Sequence, residues 1–156
     1  MDSEALLRSK KDIYLLGIDR DLVAIKCAED RLVPFGDRFN TVHSDFRDLP
    51  SILAEKNLEK RPINAILLDL GVSSMQIDTP TRGFSFQQEG PLDMRMDFSQ
   101  SETAADIVNS FSEEELANLI YEYGEEPASR VIARQIVDSR ETKPINTTTE
   151  LATLVI

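Results

Sequence analysis

Apolar residues follow two different patterns along the chain. In the first half, short continuous apolar runs alternate with stretches in which apolar residues recur every three or four positions. The continuous runs are typical of strands buried in parallel sheets, and the recurring spacing is typical of amphipathic helices. The alternation of the two indicates an α/β fold. It predicts helices at 3–10, from 21 to 32 and at 49–58, and strands at 13–18, 39–43 and 63–70.

In the second half the helical spacing continues and no further strand is evident. Ser112 and Glu115 have the spacing of a capping box, as do Thr147 and Glu150. Gly124 suits the C-terminus of a helix. We therefore predict an all-helical second part, with helices at 103–111, 113–123, 127–140 and from 151 onward.

The composition limits the class of protein and the compartment in which we expect it. With 41% hydrophobic residues the chain can form a core, and no apolar run approaches the roughly 20 residues that span a bilayer. The N-terminus has no hydrophobic signal region, and the one cysteine, Cys27, cannot form an internal disulfide. The sequence thus predicts a soluble protein of the cytoplasm, with an organellar setting as the alternative, and Cys27 as a small core residue.

The charge restricts any role with nucleic acid. The net charge is −11, and residues 77–156 account for −9 of it. Phosphate contacts normally require Lys and Arg. Contacts with RNA would therefore depend on a few placed arginines, for which we expect Arg82, Arg95, Arg130 and Arg134.

One residue near the predicted strand ends, Asp19, is a candidate for binding a nucleoside. Asp19 follows the strand at 13–18, where a carboxylate can accept two hydrogen bonds from ribose hydroxyls. It could equally cap the next helix, although Asp21 is the better placed cap. His43 is interpreted as the last residue of a strand, without a catalytic role.

One segment is too unusual in composition for ordinary packing to explain. Residues 66–97 read ILLDLGVSSMQIDTPTRGFSFQQEGPLDMRMD. An apolar run is followed by Asp69 and then by a Gly/Ser turn, as in the ligand sites of open α/β sheets. A long polar segment follows, and its aromatic, Leu and Met residues argue for order.

This segment closely resembles the signature of the RsmH/MraW-type small-subunit rRNA (cytosine-N4)-methyltransferases. The blocks YGEE at 123–126 and TTTELA at 147–152 match as well, so the resemblance covers most of the chain. It implies transfer of a methyl group from S-adenosylmethionine to the N4 amine of a cytidine in small-subunit (16S-type) rRNA, free or within the assembled subunit. The implied fold is a Rossmann-like class I methyltransferase sheet, here incomplete, at 1–86, followed by a helical insert for substrate recognition at 87–156.

The resemblance also implies roles for individual residues. Cofactor contacts fall on Asp19, Phe46, Asp69 and Gln76, with the Phe46 ring against adenine. Catalytic positions fall on Asp69, Ser73 and Ser74. Two interpretations stay open for a last set, which either lines the cytidine pocket or locks the loop by ion pairs: Arg82, Asp93, Arg95 and Asp97.

No Cys/His cluster or acidic constellation indicates a metal. The family's first strand and its Gly-Gly-His loop have no counterpart before Ser3, and neither do the last strands after Ile156. We therefore expect a fragment that alone is inactive. Two other functions compete with this one: a nicotinamide-binding domain, which lacks its G-x-G-x-x-G motif here, and a non-catalytic acidic α/β binding or regulatory module.

Overall fold

A computed structural model describes residues 2–155 and shows a mixed α/β protein with a small parallel sheet and many helices. The chain divides into two compact units, one ending at Leu68 and the next beginning at Asp69. The domain boundary at residue 86 that the resemblance implies stays a prediction. Within the described residues, no helix is long and apolar enough to cross a membrane.

The first unit contains one strand–helix–strand arrangement. The two strands pair in parallel, with Asp19 opposite His43, so both strands end at the same edge of the sheet. The connecting helix begins after Asp21, whose Oδ1 accepts a hydrogen bond from the Val23 N–H at 2.9 Å, which confirms the predicted cap. The elements are α1 (Asp2–Ser9), β1 (Leu15–Asp19), α2 (Leu22–Leu32), β2 (Phe39–His43) and α3 (Leu49–Glu55).

A small apolar core supports this unit. Its buried members are Leu7 of α1, Ile25 and Leu32 of α2, and Ile52 of α3. Cys27, predicted to lie in the core, is exposed. It lies two positions after Ile25, about 200° further around the helix, and so on the opposite face of α2.

The predicted third strand, at 63–70, is wrong. The segment has no regular secondary structure. Its large side chains, which are Ile63, Ile66, Leu67, Leu68 and Leu70, are between 54% and 67% exposed. A strand needs a neighbour for its N–H and C=O groups, and the only sheet among residues 2–155 is the β1–β2 pair. The apolar run is therefore left without a partner.

Among the described residues, the regular elements of the second unit are all helices, and those from Ala104 onward lie near the predicted positions. Capping boxes begin α6, through Ser112 and Glu115, and α8, through Thr147 and Glu150. Gly124 ends α6, and Glu125 adopts the left-handed conformation after it. The helices are α4 (Ser74–Asp78), α5 (Ala104–Ser110), α6 (Glu113–Gly124), α7 (Ser129–Thr142) and α8 (Thr148–Val155).

The second unit also has the larger core. It includes a loop residue, Leu92, which is 3% exposed and packs among the helices. Arg140 of α7 adds a polar link, because its Nη1 and Nη2 donate to the carbonyls of Val108 and Phe111 at 2.6 and 2.5 Å, at the end of α5. The other buried members of the cluster are Val108, Leu116, Ala117, Ala133, Ile136 and Ile145.

Two isoleucines of the first unit test the unpaired state of residues 63–70. Ile66→Ala is expected to change the free energy of unfolding by less than about 0.5 kcal/mol, because the side chain is already in water. Ile52→Ala, in the core, is expected to cost about 2–5 kcal/mol. Urea unfolding of both variants measures the difference, and equal losses would mean that Ile66 is buried in solution.

Candidate active site

The carboxyl ends of β1 and β2 place two predicted site residues at one edge of the sheet. The Ser44 N–H donates to the Asp19 carbonyl at 3.0 Å, which ties the two strand ends together. The Asp19 Oδ1 atom accepts from the Asp21 N–H at 2.8 Å. Asp21 caps α2. The Asp19 side chain is exposed, and its other carboxylate oxygen has no hydrogen-bond partner among the described residues.

Phe46 begins a short 3-10 turn, Phe46–Asp48, that follows β2, and its ring is 51% exposed. Asp45 caps this turn and accepts from both the backbone and the guanidinium of Arg47, at 2.9 and 2.8 Å. The hydrogen bond from the Arg47 side chain is the main reason that the pKa of Asp45 is lowered to about 2, with Arg20 nearby adding to the effect. Asp45 is therefore ionised and holds the turn that presents Phe46.

The turn after Asp69 lies at the start of the second unit. Asp69 is exposed, and Gly71 follows with φ of 119°, a conformation that favours glycine. Ser73 then caps α4, and Ser74 is the first helical residue. The turn thus carries one accessible carboxylate and one accessible hydroxyl, on Asp69 and Ser74.

Gln76 has a structural task that the sequence prediction did not include. Its Oε1 atom accepts from the Ser73 N–H at 2.8 Å, and its own N–H donates to the Ser73 Oγ at 3.3 Å. These two bonds form a capping box, and Gln76 is only 5% exposed. The Ser-x-x-Gln spacing at 73–76 was a readable signal for this role.

Arg82 is directed into the loop formed by residues 79–97. It is 6% exposed, and its Nη2 donates to the carbonyls of Arg95 and Met96 at 3.1 and 3.3 Å. Its guanidinium carbon lies 4.7 Å from the centre of the Phe98 ring. Arg82 therefore holds two distant parts of the loop together.

Asp93 and Arg95 form a two-pronged ion pair within the same loop. Arg95 Nε and Nη2 donate to the two carboxylate oxygens of Asp93 at 2.9 and 2.8 Å. These bonds hold the pKa of Asp93 below its usual value and raise the pKa of Arg95. Asp97 accepts from the Ser99 N–H at 2.8 Å, which closes a local turn. These contacts hold the loop in one conformation, and the lining of a cytidine pocket by the same residues stays a prediction.

Two glycines let the loop fold back on itself. A Cβ atom at Gly83, where φ is 77°, would overlap the Pro91 carbonyl oxygen and lie 2.7 Å from the Asp93 nitrogen. A Cβ atom at Gly90 would overlap the Pro80 carbonyl. No L side chain fits at either position.

The loop is anchored to the helices by backbone hydrogen bonds. The Leu92 N–H donates to the Asn146 carbonyl at 2.8 Å, and the Thr148 N–H donates to the Gly90 carbonyl at 3.0 Å. Glu150 orders the Asn146 segment by accepting from its N–H at 2.9 Å. The pKa of Glu150 is lowered to about 2, mainly by the hydrogen bond from Lys143 and then by those from the backbone N–H groups of Asn146 and Thr147.

A groove beside the loop was not predicted from the sequence. Its volume is about 770 Å³, and its walls come from the loop and from helices α5 and α6. Met94 and Arg95 line the loop side, and Ile107, Leu119 and Ile120 line the helical side. The helical spacing of these apolar residues was visible in the sequence, but their position opposite the loop was not.

The four arginines expected to contact RNA have different surroundings. Arg82 and Arg95 are committed to the loop as described. Arg134 is exposed, and its Nε lies 3.5 Å from Glu113 Oε1. Arg130 is exposed beside the same glutamate. Among residues 2–155, no group of three His, Cys, Asp or Glu side chains is arranged to hold a metal ion.

The glycine positions give a direct test of the loop geometry. Gly83→Ala is expected to lower the free energy of unfolding by more than about 1 kcal/mol, because of its positive φ and the overlap with Pro91. Gly124→Ala is the matched control, since its Cβ would meet no atom closer than 4.0 Å, and alanine is favoured in a helix by roughly 0.5–1 kcal/mol. Thermal unfolding checks both, and an unchanged Gly83→Ala protein would contradict the loop described here.

Comparison with known proteins identifies the family. The sequence matches the MraW methylase family over residues 1–156. Ribosomal RNA small subunit methyltransferase H of Carboxydothermus hydrogenoformans is 48% identical over 154 residues, which cover 99% of this chain and 49% of the relative. The protein of the same name from Syntrophotalea carbinolica is 52% identical, over 92% of this chain and 45% of the relative. The one from Thermobifida fusca is 45% identical, over 98% of this chain and 46% of the relative. The chain thus spans about half the length of these curated relatives. It belongs to the MraW methylase family.

Proposed function

We propose that this chain carries cofactor-binding and catalytic residues of an S-adenosylmethionine-dependent methyltransferase that acts on the N4 amine of a cytidine in small-subunit rRNA. The relatives are named ribosomal RNA small subunit methyltransferases, which supports the substrate class. The single structural observation that carries the proposal is the edge formed by Asp19 and Phe46. It offers a surface carboxylate and an exposed aromatic ring at the ends of paired parallel strands.

The residues at this edge fit the adenosyl part of S-adenosylmethionine. Asp19 has one carboxylate oxygen in use by the Asp21 N–H, and the second remains for the ribose hydroxyls. Phe46 is about half exposed, so its ring can contact a purine. In this proposal Asp69 would contact the ammonium group of the methionine part, and Gln76 would hold the turn beneath it through its capping box.

When bound, S-adenosylmethionine supplies an electrophilic methyl group on a sulfonium. The exocyclic amine of cytosine is a weak nucleophile, because its lone pair is delocalised into the ring. The task of the protein is therefore to align the amine and to accept a hydrogen bond from it. Asp69 has the required carboxylate, and the hydroxyls of Ser73 and Ser74 lie in the same turn.

Arg82, Asp93, Arg95 and Asp97 support the substrate side of the proposal. Their bonds within the loop make it rigid, so the loop can present a fixed surface to RNA. A fixed surface limits the loss of conformational entropy on binding. The four residues would then act on the substrate mainly through the shape of the loop.

We also propose that residues 1–156 by themselves bind the cofactor weakly or not at all. Asp69 follows a segment, 63–68, that pairs with no strand and is exposed to water. A carboxylate at the end of such a segment is not fixed in the geometry that methyl transfer requires, and small displacements are costly in rate.

The first test is methyl transfer by a chimera in which residues 1–156 replace the aligned half of the Carboxydothermus relative. Labelled methyl groups should appear at the N4 position of a cytidine in small-subunit particles. Asp69→Ala is expected to lower kcat/KM by at least about 100-fold, as for loss of a positioned acceptor. Asp78→Ala, at a nearby exposed aspartate, is the control and should leave the rate unchanged. Full activity of the Asp69 variant would refute its catalytic role, and absence of transfer by the parent chimera would favour a non-catalytic acidic module.

The second test is calorimetric titration of the 156-residue chain with S-adenosylmethionine. Because the segment before Asp69 is unpaired, no saturable binding is expected at micromolar concentrations. The chimera serves as the positive control, and Asp19→Asn in the chimera should weaken its binding. Micromolar affinity of the 156-residue chain would show that a sheet around residues 63–70 is not needed to hold the cofactor.

A further inference from the structure

The loops that follow β1 and β2 are tied to each other at the edge of the sheet that carries Asp19 and Phe46. His43 ends β2, and its ring Nε2 lies 2.9 Å from the Arg20 carbonyl oxygen. A carbonyl oxygen can only accept a hydrogen bond, so Nε2 carries the hydrogen and donates it. The bond thus joins the last residue of β2 to the residue directly after Asp19.

Two further contacts join the same loops. Arg20 Nη1 lies 3.5 Å from Asp45 Oδ2, and Asp45 caps the 3-10 turn that begins at Phe46. The Ser44 N–H donates to the Asp19 carbonyl at 3.0 Å. The segment after β2 therefore connects the loop that begins at Asp19 with the turn that presents Phe46.

These contacts lie at the surface and outside the apolar core of the unit. His43 is exposed, and the Arg20 side chain is 35% exposed. Surface polar contacts of this kind contribute little to the free energy of unfolding. Their effect is on local geometry, because they fix the separation between the Asp19 carboxylate and the Phe46 ring.

A fixed separation matters for a nucleoside, because its ribose and its base form one covalent unit. The glycosidic bond sets the distance between the ribose hydroxyls and the purine ring. A protein that binds both must hold its two groups at the matching distance beforehand, or lose affinity in ordering them. Asp19 is the last residue of β1, whereas Phe46 lies three positions beyond the end of β2. Strand pairing by itself therefore does not fix their separation.

We propose that His43 is a positioning residue of the cofactor site. Through its bond to the Arg20 carbonyl it holds Asp19 and Phe46 at the separation that the adenosyl group requires. In this role His43 contacts neither the cofactor nor the RNA. The inference rests on the proposed function, which assigns the ribose to Asp19 and the adenine to Phe46, and it adds a residue for which the sequence predicted only the end of a strand.

Calorimetric titration of the chimera with S-adenosylmethionine tests the proposal through a matched pair of variants. His43→Asn is expected to raise the dissociation constant about three- to tenfold, because one hydrogen bond is lost. His43→Gln is the control that should keep the affinity of the parent. The amide nitrogen of Gln is as many bonds from the backbone as Nε2 of His, whereas that of Asn corresponds to Nδ1 and does not reach the Arg20 carbonyl.

Double variants separate positioning from a general loss of stability. If His43 acts through Asp19, adding His43→Asn to Asp19→Asn should weaken binding no further. Adding His43→Asn to Asp69→Ala should instead multiply the two separate effects, because those residues do not share a contact. Equal behaviour of the two pairs would contradict the proposed role.

The 156-residue chain without cofactor provides an independent measurement. The Asp21 N–H donates to Asp19 Oδ1 at 2.8 Å, so its hydrogen exchange reports whether the Asp19 side chain is held in place. His43→Asn is expected to accelerate this exchange about threefold or more. The Leu116 amide of the second unit is the internal reference and should be unaffected, and His43→Gln should leave both rates unchanged.

The outcomes distinguish this inference from the proposed function. A chimera that binds S-adenosylmethionine and responds to Asp19→Asn, but not to His43→Asn, would overturn the inference alone. Equal losses of affinity in His43→Asn and His43→Gln would also overturn it, because the hydrogen bond would then not be the cause. A parent chimera that binds no S-adenosylmethionine would overturn both, since no adenosyl group would be held at this edge.

Discussion

The packing of Leu92 among the helices is the interaction on which the second unit depends. Among the residues the structure describes, Leu92 and Ile145 are the two members of the buried apolar cluster that lie in loops. The backbone on either side of it is bonded to the start of α8 and to the start of α5, where the Ala105 N–H donates to the Leu92 carbonyl at 2.7 Å. With Leu92 fixed, the polar residues around it can form their bonds at little cost in entropy.

A buried anchor of this kind explains how a polar loop becomes rigid. Arg82 is buried and bonds to backbone carbonyls, and the ion pair of Asp93 and Arg95 is partly exposed and would contribute little in isolation. Here each is held in position by a backbone already fixed by Leu92 and by the two close approaches at Gly83 and Gly90. The Asp93–Arg95 ion pair and the bonds of Arg82 then select one loop conformation, and the groove beside the loop acquires a constant shape.

Much of the fold could be predicted from local pattern. The helices of the second unit and strands β1 and β2 follow from apolar spacing and capping residues, because those signals act within one turn or one strand. Residues 63–70 could not be predicted in this way. Their apolar run is the same whether or not a neighbouring strand exists, and pairing depends on residues far along the chain or outside it.

The site could be predicted only in part, for similar reasons. Asp19 and Phe46 lie at one sheet edge because parallel strands end together, which sequence order already indicates. The bonds of Arg82 to the carbonyls of Arg95 and Met96 require the folded loop and had no local signal. The capping role of Gln76 did have one, in its spacing from Ser73, and was overlooked.

The exposed run at 63–70 has a consequence for how the protein behaves in concentrated solution. It is mostly apolar, contains Ile63 and Ile66, which favour extended backbone, and carries one charge, on Asp69. Segments of this type add to one another edge to edge and seed insoluble assemblies. Lys60, Arg61 and Pro62 immediately precede it, and such residues act as gatekeepers against that association. The same stretch that would complete a sheet is thus also the point at which copies of this chain would begin to aggregate.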